Sequence, residues 1–192
     1  EQRIAELTVP LLAVDYVDRA YGNLCNPACV DVHHRHHIYS SGEPAESPSP
    51  ECLRLLADYL PPGASVLDVG CGVGAYARAL EERGHRWTGA ELSPHLVAEL
   101  RRRRLPHRRI HRPFWPFRYR LPFATGSFDA AIAIEVLEHT VDPVRFVQEV
   151  RRVVRRRACF SVPNAELLPF WASGLIAPWH VLEGDHRNFF SR

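Results

Sequence analysis

Residues 65–74 read SVLDVGCGVG, a short apolar run that leads directly into a turn built on three glycines. The run is too short for a helix and ends at the turn, which predicts a buried strand over Ser65–Val69. Gly70, Gly72 and Gly74 let the backbone turn tightly and approach a ligand without interference from a Cβ. A helix that begins beyond such a turn points its free amide groups at that ligand. The stretch therefore predicts a strand, a ligand-binding turn and a helix.

The chain alternates between strands and helices on both sides of this turn. Apolar strands that alternate with helices indicate a parallel sheet covered on both faces. The predicted helices are Glu51–Leu60, Ala75–Arg83, Leu96–Arg104 and Val144–Val154, and the predicted strands are Ser65–Val69, Arg86–Glu91, Arg109–His111, Phe128–Ile134 and Ala158–Val162. We predict an α/β, Rossmann-like doubly wound sheet, mainly parallel, with strand order 3-2-1-4-5. Such sheets bind ligands at the carboxyl ends of their strands, where the order reverses.

The length, net charge, hydropathy and cysteine content of the chain limit the classes of protein to which it could belong. A chain of 192 residues fits one α/β domain, and its formal net charge of +2 does not indicate a bulk basic field for nucleic acid. No apolar run approaches the roughly 18 residues of a membrane span. Five scattered cysteines favour a reducing, cytoplasmic setting over a disulfide framework. The chain opens at Glu1 without methionine, so we expect it to be a fragment.

Glu91 lies at the end of the second predicted strand, seventeen residues after Gly74. A carboxylate there can accept hydrogen bonds from both vicinal hydroxyls of a ribose, so a nucleoside ligand is predicted. A nicotinamide or flavin dinucleotide is the alternative, because Gly70, Gly72 and Ala75 also satisfy GxGxx(G/A). Asp68 favours a cationic cofactor, since a carboxylate beside the turn would repel a pyrophosphate.

These motifs resemble those of a known enzyme family. VLDVGCGVG at 66–74 resembles motif I of class I S-adenosylmethionine-dependent methyltransferases. LPFATGSFDAAIAIEVLEH at 121–139, with ACFSVPN at 158–164, is similar to motifs IV and V of the small-molecule and quinone methyltransferases. The resemblance implies that S-adenosylmethionine is the cofactor. The residues that it implies for cofactor binding are Asp68, Gly70, Cys71, Gly72 and Gly74 at the methionine end, Glu91 at the ribose and Leu92 at the adenine.

The sequence departs from the pattern of these families in two places. The families place an acid shortly before the LPF segment to bind the adenine amino group, whereas residues 111–123 read HRPFWPFRYRLPF. A backbone carbonyl or stacking by Phe114 and Trp115 could substitute, or the third strand could be distorted. The families also end with two further strands that the sequence does not reveal. We therefore expect an N-terminal helical or lid segment and linker over 1–49, a cofactor domain over 50–163, and a truncated acceptor or lid segment over 164–192.

A cluster of two acids and a histidine follows the predicted strand Phe128–Ile134. Glu135 and Glu138 are three residues apart, and Glu135 and His139 are four apart, so a helical turn would put all three on one face. Two carboxylates and an imidazole suit a divalent cation such as Mg²⁺, Mn²⁺ or Zn²⁺. Without a metal, His139 would be a structural or substrate-gating residue and Glu135 would contact cofactor or acceptor. Both interpretations stay open.

The cluster resembles the ExxEH segment of ubiquinone-biosynthesis O-methyltransferases and of small-RNA 3′-end 2′-O-methyltransferases. Both families carry a histidine before an aromatic segment, to which GDHRNFFS at 184–191 is similar. The resemblance implies His186 as a fourth metal ligand beside Glu135, Glu138 and His139. A bound cation would lower the pKa of an acceptor hydroxyl. We expect Glu135 and His139 to be the catalytic residues, with or without Mg²⁺ or another cation.

Two weaker patterns have ordinary explanations. Cys25 and Cys29 precede a histidine-rich stretch at 33–37, but their spacing is not that of a standard zinc finger, and a loop is favoured. Arginines at 101–104 and 151–157, near the aromatic residues of 114–119, could bind RNA. Solvated helix ends are the commoner origin of such arginines.

The sequence therefore predicts methyl transfer from S-adenosylmethionine to an oxygen of a small-molecule acceptor. An RNA 3′-terminal 2′-O-methyltransferase is the first alternative. The others are a non-catalytic nucleoside-binding domain and a dinucleotide-dependent oxidoreductase.

Overall fold

The computed structural model describes residues 47–110 and 120–162, together with Asn188 and Phe190. Several predictions concern other parts of the chain. Outside the described residues lie positions 1–46 of the predicted N-terminal segment, with the Cys25 to His37 tract, and also the aromatic residues of 114–119 and His186. So does nearly all of the stretch that would hold two final strands.

Five strands form one parallel sheet with the order β3-β2-β1-β4-β5, which confirms the predicted topology. The strands are β1 (Ser65–Val69), β2 (Arg86–Glu91), β3 (His107–Arg109), β4 (Phe128–Ile134) and β5 (Val154–Ser161). The chain leaves β3 at one edge and returns to β4 on the other side of β1. The carboxyl ends of β1 and β4 therefore flank the position where the strand order reverses.

The helices begin at strong local signals. They are α1 (Pro50–Tyr59), α2 (Ala77–Glu81), α3 (Pro94–Arg102) and α4 (Pro143–Val153). Before α1, α3 and α4 a side-chain oxygen of Ser49, Ser93 or Asp142 accepts a backbone amide of the first turn, and a proline follows each cap. Such caps satisfy amide groups that the helix itself leaves without a carbonyl partner, and proline at the first position loses no hydrogen bond.

Both faces of the sheet are buried, as a doubly wound fold requires. One face packs against α1, α2 and α3 through Leu56, Leu80 and Leu100. The other face packs against α4 through Phe146 and Val150. Neighbouring residues of β1 alternate between the two faces, which explains why the strand reads as a continuous apolar run.

Four predicted elements have bounds that differ from the structure by two residues or more. α3 covers Pro94–Arg102 rather than the predicted Leu96–Arg104, because Ser93 caps the helix and Pro94 follows the cap directly. β3 lies two residues before the predicted Arg109–His111, because the strand HRR has no apolar residue that could mark it. β5 begins at Val154 rather than Ala158, since pairing with β4 extends across three exposed arginines. α2 is shorter than the predicted Ala75–Arg83, because turns occupy both of its flanks. No helix in the described part of the chain is long and apolar enough to cross a membrane.

Candidate functional site

The glycine turn leaves β1 and lies against the end of β2. The amides of Gly70 and Cys71 donate hydrogen bonds to the carbonyl oxygen of Ala90, at 2.8 and 3.3 Å. The amide of Gly74 donates to the carbonyl oxygen of Cys71 at 2.8 Å, which closes the turn before α2 begins. The turn is therefore held by the backbone of two neighbouring strands.

Glycine is required in this turn for two reasons. Gly70, Gly72 and Gly74 have φ angles of 74°, 56° and 81°, in the left-handed region that strains other residues. A Cβ on Gly70 would lie 2.7 Å from Cγ2 of Val136, and one on Gly74 would lie 2.6 Å from Cδ1 of Leu105. The first of these contacts also places the residues after β4 directly beside the turn.

The Glu91 carboxylate is held at the end of β2 by three backbone amides. Its Oε1 accepts hydrogen bonds from the amides of Leu92 and Ser93, at 2.7 and 2.8 Å. Its Oε2 accepts one from the amide of Gly72 at 2.9 Å. Because Glu91 is buried, these bonds offset the cost of removing its charge from water.

A second buried carboxylate lies near the end of β1, where the turn begins. Asp68, in β1, is 2% exposed, and its Oδ2 accepts a hydrogen bond from Nε1 of Trp87 at 3.0 Å. Burial, together with the negative charges of Asp68 and Glu91, raises the pKa of the Cys71 thiol. The two carboxylates therefore flank the same turn, as the sequence predicted.

Glu135 directly follows β4 at the same edge of the sheet. Its backbone φ of 53° lies outside the right-handed helical region. The carboxylate is exposed and accepts a hydrogen bond from Oγ of Ser161, and the amide donates to the carbonyl oxygen of Ser161 at 3.2 Å. Glu135 is thus fixed to the end of β5 while its carboxylate still faces solvent.

Glu138 and His139 belong to a 3₁₀ helix over Leu137–His139. The Glu138 carboxylate is 1% exposed, and its Oε1 lies 4.0 Å from Nε2 of His139. Burial raises the pKa of Glu138 to about 7; the charge of Glu135 acts in the same direction and that of His139 in the opposite one. The imidazole is about a quarter exposed and can meet a ligand, whereas the Glu138 side chain cannot.

The predicted helical turn across Glu135–His139 is wrong, because the helical geometry covers only its last three residues. Within the described ranges, no three His, Cys, Asp or Glu side chains form a group that could hold a metal ion. His186, the predicted fourth ligand, is not among the described residues. The amide of Asn188 donates to the carbonyl oxygen of Glu138 at 3.1 Å, so Asn188 lies against this cluster.

A family comparison matches residues 67–162, half of the chain, to the methyltransferase domain. This range contains the glycine turn, both carboxylates that flank it and the cluster after β4. The chain belongs to the class I S-adenosylmethionine-dependent methyltransferases.

Curated relatives of this methyltransferase share about a third of its aligned residues. A ubiquinone biosynthesis O-methyltransferase from Idiomarina loihiensis is 31% identical over 133 residues, which are 66% of this chain and 54% of the relative. A 2-methyl-6-phytyl-1,4-hydroquinone methyltransferase from Synechocystis is 38% identical over 100 residues, which are 51% of this chain and 31% of the relative. The chain thus spans about half of the first relative and less of the second.

Two solved structures also align with part of this chain. An S-adenosylmethionine-dependent methyltransferase from Mesorhizobium loti aligns with a TM-score of 0.48 at 24% identity, covering 59% of this chain and 53% of that one. The PH0226 protein from Pyrococcus horikoshii aligns with a TM-score of 0.48 at 24% identity, covering 63% of this chain and 62% of that one.

The sequence analysis of this methyltransferase missed two residues of the site. Val136 contacts Gly70, and Trp87 contacts Asp68, yet both read as ordinary core residues. A signal for Trp87 was present in Gly89, two residues later on the same face of β2. A Cβ at Gly89 would lie 2.6 Å from Cη2 of the indole, so this glycine makes room for the ring.

Proposed function

We propose that this methyltransferase binds S-adenosylmethionine at the turn 68–74 and methylates a hydroxyl oxygen of a small aromatic acceptor. The observation that carries the proposal is a pair of buried carboxylates beside one glycine turn: Asp68 lies two residues before Gly70, and Glu91 accepts a hydrogen bond from the amide of Gly72. A ligand with a cationic amino acid at one end and a ribose at the other matches this pair of charges.

The residues fit the parts of this cofactor. Asp68 would hold the ammonium group of the methionine end, and the bare backbone of 70–74 would lie along the same part. Glu91 would accept hydrogen bonds from the ribose hydroxyls. Its orientation is already set by the hydrogen bonds that it accepts from three backbone amides. Leu92, which is half-buried and follows Glu91 directly, would pack on the adenine.

Methyl transfer from this cofactor requires little from the protein other than positioning of the cofactor and the acceptor. When bound, the cofactor supplies a methyl group on a positively charged sulfur, which is a good leaving group. The protein must hold the acceptor oxygen in line with that methyl group and accept the hydroxyl proton. A phenolic hydroxyl has a pKa of about 10, so a nearby base increases the fraction that can react at neutral pH.

His139 and Glu135 are the proposed proton acceptors. The His139 imidazole is partly exposed at the edge where β1 and β4 end, and its Nε2 lies 4.0 Å from Oε1 of Glu138. Glu135 is exposed beside it, with its backbone fixed to Ser161. No step is assigned to a metal ion, because the described residues include no group of three His, Cys, Asp or Glu side chains that could hold one.

The acceptor class is supported by the names of the relatives. One acts in ubiquinone biosynthesis as an O-methyltransferase, and another methylates a hydroquinone. A quinone or a hydroquinone is named in both. We therefore propose a catechol, phenol or hydroquinone rather than an RNA terminus.

The test is transfer of a labelled methyl group from S-adenosylmethionine to a panel of catechols and hydroquinones, with RNA 3′ ends as a parallel substrate. Methylated phenolic oxygen in the product supports the proposal. Methylation of RNA alone, or binding of S-adenosylhomocysteine with no turnover on any acceptor, would contradict it. Each reaction is repeated with EDTA and with added Mg²⁺, since recovery by Mg²⁺ would show that a cation takes part.

A further inference from the structure

Trp87 lies beneath the turn 68–74 and contacts both of its ends. It is the second residue of β2 and is 2% exposed. Asp68 of β1 pairs in register with Gly89, two residues along β2, so Trp87 and Asp68 are diagonal neighbours on one face of the sheet. The indole Nε1 donates its hydrogen bond to Oδ2 of Asp68 at 3.0 Å.

The far edge of the same indole reaches the other end of the turn. A Cβ at Gly74 would lie 3.4 Å from Cη2 of Trp87, and a Cβ at Gly89 would lie 2.6 Å from that atom. The ring therefore extends from Asp68, where the turn begins, to Gly74, where it ends. Only a tryptophan side chain combines this length with a single N–H donor on the five-membered ring.

We propose that Trp87 is a positioning residue for the cofactor, which fixes the Asp68 carboxylate toward the ammonium group at the methionine end. This inference rests on the proposed function. A carboxylate that is 2% exposed has little water to orient it, so a directed donor decides how its charge is presented. Trp87 acts through Asp68 and does not itself contact the reacting atoms.

The test compares two ligands that differ only at the methionine end. S-adenosylhomocysteine carries the amino acid group, whereas 5′-methylthioadenosine has the same adenosine without it. Calorimetry measures both ligands on the wild-type chain, Trp87→Phe, Asp68→Asn and the double variant. Phenylalanine keeps an aromatic ring in the core and removes the N–H donor.

Trp87→Phe should weaken S-adenosylhomocysteine binding about tenfold, the effect of losing one hydrogen bond to a charged group. Binding of 5′-methylthioadenosine should change less than twofold. In the Asp68→Asn background the same substitution should change S-adenosylhomocysteine binding less than twofold, because the carboxylate that Trp87 orients is gone. An equal loss for both ligands, or an equal loss in both backgrounds, would overturn the inference.

A near-isosteric variant separates the donor from the packing. Benzothienylalanine at position 87 replaces the N–H with sulfur and keeps the bicyclic shape, so it should reproduce the tenfold loss while the chain stays folded. Val150→Ala, on the opposite face of the sheet, is the control for general destabilisation and should leave both affinities unchanged. Loss of folding in both position-87 variants would assign the N–H to stability and contradict the proposal. Failure of the wild-type chain to bind either ligand would instead contradict the proposed function.

Discussion

Replacing Glu91 with alanine should remove cofactor binding and also destabilise the protein when no cofactor is present. The second effect follows from the structure, in which the carboxylate accepts hydrogen bonds from three backbone amides. Alanine leaves the amides of Gly72, Leu92 and Ser93 without this acceptor. The Ser93 amide is affected most, because that residue is only 1% exposed and water cannot easily replace the carboxylate.

The magnitude can be worked from these contacts. A hydrogen bond to a charged group contributes about 1.5–3 kcal/mol. The total is smaller than three such bonds because the amides of Leu92 and Ser93 share Oε1, and because Gly72 and Leu92 are partly exposed, so water can replace the carboxylate there. We therefore expect a loss of roughly 3 kcal/mol in the free energy of unfolding. For a chain of this size that loss lowers the melting temperature by about 6–12 °C.

Thermal unfolding with and without S-adenosylhomocysteine measures both effects. At a ligand concentration of about 100 Kd, binding stabilises the wild-type chain by about 2.7 kcal/mol, and Glu91→Ala should lose most of this increment. Asp142→Ala is the matched control, since Asp142 also accepts a backbone amide but caps α4 and does not belong to the turn 68–74. It should cost about 1 kcal/mol and keep the full ligand-induced increment.

Two results would refute this reasoning. A Glu91→Ala variant that melts like the wild type without ligand would show that the three amide contacts contribute little. A variant that keeps the ligand-induced increment would show that Glu91 does not hold the ribose, and the cofactor assignment of the site would fail with it.

Three further predictions concern the turn and the cluster after β4. Gly70→Ala should abolish S-adenosylhomocysteine binding, because the added Cβ would lie 2.7 Å from Val136 and the backbone φ of 74° strains alanine. Adding Val136→Ala should relieve the clash but not the strain, so the affinity measured by calorimetry should be only partly restored. Full restoration would argue against backbone strain. His139→Ala should lower kcat about 100-fold while KM for S-adenosylmethionine stays within about twofold; unchanged kcat would remove His139 from the mechanism. Glu138→Gln should flatten the pH dependence of stability measured by urea unfolding at pH 5 and pH 8. Burial raises the pKa of Glu138 from 4.5 to about 7, so between these pH values the folded state keeps a proton that the unfolded state releases. The wild type should therefore lose roughly 3 kcal/mol of stability as the pH rises from 5 to 8, and the variant should not show this loss. Parallel pH profiles for the two proteins would contradict this account.

Much of the fold could be predicted because its signals are local. β1, β2 and β4 have the predicted bounds, and α3 overlaps most of the predicted helix Leu96–Arg104. β3 was misplaced because three polar residues form it only through pairing with β2. The start of β5 was missed for the same reason, since its exposed arginines carry no pattern and hydrogen bonds to β4 define the strand.

The amino-acid sequence by itself determined the order of strands and helices, the glycine turn and the two acids that flank it. Each of these depends on residues within one turn or one strand, where spacing and side-chain type fix the backbone. Tertiary structure alone decided which groups those acids meet, because Trp87 contacts Asp68 and Gly72 contacts Glu91 across a separation of 19 residues. It also turned Glu135 out of the predicted helix, since its hydrogen bonds go to Ser161 on the neighbouring strand. Such contacts follow from strand register, which no local pattern encodes.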